Sequence, residues 1–76
     1  MPHIIVKLHA GRPDELKAQL AQDLTRTLMA TLGSAETSVS VAIEDIRPRD
    51  WVEQVYKPDI LGKADTLYKK PGYDPL

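Results

Sequence analysis

The sequence predicts an α/β fold (in the α+β sense): one β-α-β unit with parallel strands whose sheet is completed by dimerisation. Three observations lead there. Two short segments alternate apolar and polar residues with the period of a strand, and a long segment between them carries leucines at helical spacing. The chain is also only 76 residues long and contains no cysteine. A domain of that size buries about 60% of the surface its unfolded chain exposes, which leaves a marginal core. Without cysteine, disulfides and thiolate zinc sites are excluded, and His3 and His9 are too few for a histidine-based structural site without carboxylate help. Self-association is then the expected source of extra stability.

The first strand is expected over Pro2–Leu8. Ile4, Val6 and Leu8 share one face, while His3, Ile5, Lys7 and His9 share the other. A helix is expected from about Pro13 to Leu32. Proline suits a first helical position, because the N–H it lacks has no partner there, and Asp14 and Glu15 place negative charge at the positive end of the helix dipole. Leu16, Leu20, Leu24, Leu28 and Leu32 repeat every four residues, and Gly33 stands where a left-handed terminator is wanted. Ser38 to Ile46 alternates again, with Val39, Val41 and Ile43 on one face and Ser40, Ala42, Glu44 and Ile46 on the other. Strand, helix, strand in this order implies a right-handed crossover between parallel strands.

Two strands with open edges make no stable sheet alone, and Ile5, Ala42 and Ile46 lend apolar character to the second face. Pairing two protomers edge to edge gives four strands with two helices on one face, leaving the other to pack on a partner or close over a small pocket. The chain reads as a single domain, residues 1–76, with a core at 2–51 and a C-terminal extension at 52–76. The stretch from Arg47 onward holds four of the six prolines, all three tyrosines and the only tryptophan. Pro48 to Val55 is expected to form one or two helical turns. Turns, a short strand around Thr66-Leu67-Tyr68 and an extended tail are expected beyond Pro58.

Ten basic residues against eleven acidic ones give a formal charge of −1, which supplies no field for nucleic acid. No apolar run exceeds three residues, so neither a membrane span nor a signal-peptide core is expected; with the missing cysteines this points to the cytoplasm. Phosphate-loop and nucleophile-elbow spacings are missing. His3 and His9 stand about 20 Å apart along one strand, too far for one metal, and are expected to be partly exposed polar residues. Asp14-Glu15 and Glu44-Asp45 are accounted for by a helix start and a strand end, Lys69-Lys70 by solvation, and Leu20, Leu24 and Leu28 by the core.

Pro2 has unusual chemical potential. Removal of Met1 leaves a secondary amine at the start of a strand, a base whose pKa falls on desolvation or beside positive charge. Such a base suits proton transfer at carbon. Proline makes up about 5% of residues in general, so Pro2 gains meaning only from its company. That company is Gly11-Arg12 before a helix opening Asp14-Glu15-Leu16-Lys17, then Thr37-Ser38-Val39 leading into the second strand. From Pro2 to about Trp51 the chain resembles the 4-oxalocrotonate tautomerase family, and most closely its longer, dimer-forming bacterial branch.

The resemblance implies a cofactor-independent keto–enol tautomerase with Pro2 as general acid–base. It further implies that Arg12 binds the substrate carboxylate or polarises its 2-oxygen, and that Trp51 walls the pocket. Ser40 occupies the position of the family's second arginine and is, on the resemblance, a candidate substrate-binding residue with Arg12 and Trp51. Its presence argues against dicarboxylate enols and for a 2-oxo mono-acid with an apolar or aromatic tail, such as phenylenolpyruvate, unless Arg47 or Arg49 substitutes. Short family members stack dimers into hexamers; residues 52–76 are expected to cover the stacking surface and hold this chain at a homodimer. The rival expectation is a non-catalytic oligomeric binding or structural protein of the same fold, in which Pro2 only starts a strand and Arg12 only adds charge.

Overall fold

A computed structural model describes all 76 residues. Strand β1 (His3–His9) leads through a turn at Ala10–Gly11 into helix α1 (Asp14–Leu32), and a single 3₁₀ turn (Glu36–Ser38) precedes strand β2 (Ser40–Ile46). The strands pair in parallel with a simple register, His3 opposite Ser40 and His9 opposite Ile46. Pairing runs one residue past each end, because Ser40 N–H donates to the Pro2 carbonyl and Ala10 N–H to the Ile46 carbonyl, at 3.2 and 2.9 Å. The β-α-β unit with parallel strands is therefore present as expected. The second strand starts two residues later than its alternation suggested, because Ser38 closes the 3₁₀ turn.

Helix α1 is bounded by the two residues singled out for its ends, although Pro13 sits just outside the first turn. Its backbone is extended (φ −67°, ψ 151°), and its carbonyl accepts from Leu16 and Lys17 N–H. Gly33 takes the left-handed conformation (φ 70°) and donates to the Met29 carbonyl at 2.9 Å. A side chain there would meet no neighbour, so the need for glycine is conformational rather than steric. Lys17 ties the helix to the sheet by pairing with Asp45 at 2.8 Å and Asp14 at 3.3 Å. The hydrogen bond to Asp45 is the main reason the Lys17 ammonium titrates above its ordinary value. The α1 side is thus the face of Ile4, Val6 and Leu8 with Val41, Ile43 and Asp45.

The C-terminal extension departs most from expectation. After a 3₁₀ turn at Pro48–Asp50, residues Val52–Leu61 form a wide π-helical coil, where turns were expected past Pro58. An α-helix would drive the Pro58 ring into the carbonyl four residues back; a coil bonded at i→i+5 spacing relieves that clash. Gly62 ends the coil by donating to the Lys57 carbonyl at 2.8 Å, and a Cβ on it would lie 2.6 Å from the Pro58 carbonyl oxygen. The strand expected at Thr66-Leu67-Tyr68 is absent: Ala64–Thr66 is a 3₁₀ turn and Tyr68 is wholly exposed. The β-propensity of those residues finds no neighbouring strand to pair with.

The coil lies against the second sheet face, where Lys7 Nζ pairs with Asp59 at 2.5 Å and Trp51 meets His9. Only Val55 and Tyr56 are buried, both in this extension; Leu20, Leu24 and Leu28, expected as core, are half-buried in the single chain. Ile5 is 53% exposed, Leu16 53% and Leu32 65%.

The Lys7–Asp59 pair gives the docked coil a pH signature. The hydrogen bond from Lys7 holds the Asp59 carboxyl below its usual range, against an opposing push from burial, and Lys63 adds a further pull. The same bond lifts Lys7. Asp59 therefore contributes above the ordinary carboxylate value of 3.8 and loses that contribution as pH falls through its lowered pKa. Lys7 contributes below 10.5 and loses its share only as pH rises through its raised value. At neutral pH both contributions are complete. Asp59→Asn is expected to lower the melting temperature at pH 7, with the deficit closing in acid well below 3.8. Circular-dichroism melts across pH check this; an equal deficit at both ends would separate the effect from the carboxylate charge.

Candidate active site

Pro2 is half-buried at the start of β1, its carbonyl held by Ser40 N–H at 3.2 Å. Across the register, the Ser40 hydroxyl and His3 Nδ1 lie 2.6 Å apart in a hydrogen bond. Ser40, a candidate substrate contact, therefore shares its hydroxyl with a neighbour. The first end of the sheet gathers Pro2, His3 and Ser40.

Arg12 and Trp51 belong to the other end. Arg12 Nη1 donates to the His9 carbonyl at 3.0 Å, which leaves most of its five donors free on an exposed side chain. The His9 ring meets Trp51 edge to face with centroids 4.9 Å apart. Trp51 Nε1–H donates to the Tyr73 hydroxyl at 2.9 Å, and Tyr73 packs tilted against Tyr56 at 5.7 Å. Burial raises the Tyr56 phenol above its ordinary value, with Asp74 adding to the effect. Arg47 is committed to Asp50 at 2.7 Å, while Arg49 is exposed.

The seven-residue strand separates the two ends. At about 3.3 Å per residue, Pro2 lies roughly 23 Å from His9 along β1. Within one chain Pro2 and Arg12 cannot touch the same small molecule. No group of three or more His, Cys, Asp or Glu side chains is arranged to hold a metal ion, and no helix is long and apolar enough to cross a membrane.

Pro2, Arg12, Ser40 and Trp51 stand out in the sequence, whereas the engagements of His3 with Ser40 and of His9 with Trp51 do not. Both follow from inter-strand register and from docking of the coil, neither of which has a periodic signature. Tyr73 was legible only as one of several tail tyrosines.

The family model described as "Tautomerase enzyme" matches residues 2–56, which include β1, α1, β2 and the two-ended constellation. The chain belongs to the tautomerase family. A probable tautomerase of Xylella fastidiosa is 50% identical over 76 residues, covering all of this chain and 93% of that protein. Tautomerase PptA of Pectobacterium carotovorum is 47% identical over 75 residues, covering 96% and 97% of the two chains. Among solved structures, TomN, a 4-oxalocrotonate tautomerase homologue of the tomaymycin biosynthetic pathway, superposes with a TM-score of 0.64 at 36% identity, covering 66% of this chain and 77% of that one. The tautomerase fold and the resemblance seen in the sequence are thus established together. The chain spans nearly the full length of the two curated relatives, C-terminal extension included.

Proposed function

We propose that this tautomerase interconverts enol and keto forms of 2-oxo mono-acids such as phenylenolpyruvate, with the Pro2 amine as general acid–base and no cofactor. The observation that carries the proposal is Pro2 itself: a half-buried proline immediately before strand β1, its carbonyl held by Ser40 N–H. Once Met1 is removed, its nitrogen is a secondary amine on a rigid platform. The amine takes the enol O–H proton and the resulting ammonium returns a proton to C3. The C2–C3 double bond becomes C2=O, with no net change in proton count or oxidation state.

Arg12 binds the carboxylate with its planar fork and stabilises the negative charge that develops on the 2-oxygen. Trp51 supplies an apolar wall at the same end of the sheet. Because Pro2 and Arg12 stand at opposite ends of β1, the working site is shared between two protomers. Antiparallel edge-to-edge pairing about a two-fold axis lays the Pro2 end of one chain against the Arg12 and Trp51 end of its partner. The half-exposed Ile5 and Leu16 support such a homodimer, since a small monomer gains most by covering them.

Ketonisation of phenylenolpyruvate, followed by loss of enol absorbance, tests the function. The expected result is turnover well above the buffer rate, with kcat/KM rising on a single limb as one amine loses its proton. Turnover no faster than buffer would sink the proposal.

A further inference from the structure

The extension does more than cover the sheet. At the Arg12 end, His9, Pro48, Trp51, Val52, Tyr73 and Pro75 line a hollow of about 410 Å³, within the range of roughly 300–1,000 Å³ usual for small-molecule sites. Two of these six residues, Tyr73 and Pro75, come from the irregular tail. Tyr73 is fixed on both sides, its hydroxyl accepting from Trp51 Nε1–H at 2.9 Å and its ring resting on Tyr56 at 5.7 Å. Tyr56 is itself 6% exposed and anchored in the buried core.

The chemistry of this lining is selective. No acid, lysine or arginine faces the hollow, and the Trp51 N–H is already satisfied. Aromatic and proline faces surround it, which favours a flat apolar ring over a charged group. Arg12 donates to the carbonyl of the same His9 whose ring forms a wall, and itself lines a separate hollow with Leu8, Leu16 and Lys17.

We propose that this hollow is the subsite for the aromatic ring of a 2-oxo mono-acid, and that Tyr73 of the C-terminal tail is its specificity-determining wall. The inference rests on the tautomerase proposal for its ligand class but is testable by binding alone. Trp51 is the only tryptophan, so intrinsic fluorescence reports this hollow directly. The full-length protein is titrated with phenylpyruvate and with pyruvate, which share a headgroup and differ by the ring, with correction for ligand absorbance.

Phenylpyruvate is expected to bind at least about tenfold tighter than pyruvate, the scale expected for burying much of one ring. Tyr73→Ala is expected to erase most of that preference and to raise KM for phenylenolpyruvate about tenfold while kcat stays within about threefold. Val52→Phe, which fills the hollow from the coil without altering the tail, is expected to erase it as well; circular dichroism confirms that each variant is folded. Equal binding of the two acids to the native protein overturns the proposal, and so does a ring preference that survives both substitutions. If the native protein discriminates between the acids yet fails to turn over the enol, the hollow stands and the tautomerase assignment falls. If it turns over the enol without discriminating, the assignment stands and the hollow falls.

Discussion

Replacing Pro2 with alanine is expected to lower kcat for phenylenolpyruvate ketonisation by about 10²-fold or more, the scale on which positioned acid–base groups act. The substitution is clean on structural grounds. Proline contributes no N–H to the sheet, and the contact holding this residue is made by its carbonyl, which accepts from Ser40 N–H and survives in alanine. What alanine loses is the ring that fixes the nitrogen, and the secondary amine becomes a primary one with more freedom to turn away. Retaining Met1 has the larger effect. The nitrogen then enters a peptide bond, where resonance removes its basicity. Turnover by the two variants, with mass spectrometry to establish the N-terminus, gives the ranking: native above Pro2→Ala, and Pro2→Ala above the Met1-retaining form. A Met1-retaining protein working at the native rate would remove Pro2 from the mechanism.

What was legible beforehand divides along physical lines. β1, α1 and β2 follow from local pattern, since a period of two, a four-residue leucine ladder and a left-handed Gly33 each act within a few residues of themselves. The parallel crossover follows from chirality once those elements are placed. The coil at Val52–Leu61 was hidden because Pro58 reads as a stop signal, and only a helix of unusual width carries it onward. Its burial was hidden too. Val55 and Tyr56 become the only buried residues because the coil docks across the second sheet face, guided by Lys7 with Asp59 and by His9 with Trp51. Both pairs join residues far apart in the chain, beyond the reach of any local pattern.

The candidate site divides the same way. Pro2, Arg12 and Trp51 each stand out by residue type and place, but alternation assigns faces without saying which residues share an end. Register supplies that, setting His3 against Ser40 and leaving Arg12 with His9. The tail contribution of Tyr73 lies in an aperiodic segment where sequence offers no lever.

The two-ended arrangement makes a second large effect expected, from mixing rather than from any single variant. On the proposed two-fold dimer, Pro2→Ala removes the proposed base from both sites and Arg12→Ala the proposed carboxylate fork from both; removing that fork is expected to lower kcat/KM about 10²-fold. When the two inactive proteins are mixed and their subunits exchanged, about half of the dimers are hybrids by statistics. Every hybrid holds one site with neither group and one with both, the Pro2 of the Arg12→Ala chain facing the Arg12 of the Pro2→Ala chain. About one quarter of native activity is therefore expected, some 25-fold above either parent. The rise depends on geometry alone, since roughly 23 Å of strand separates Pro2 from His9 and its Arg12 neighbour. If both groups served one site within a chain, no hybrid would hold an intact site, and the mixture would never exceed the average of its parents. Activity followed against the hybrid fraction, resolved by native mass spectrometry, decides between the two: a linear rise places the site across the dimer, and a flat line places it within the protomer.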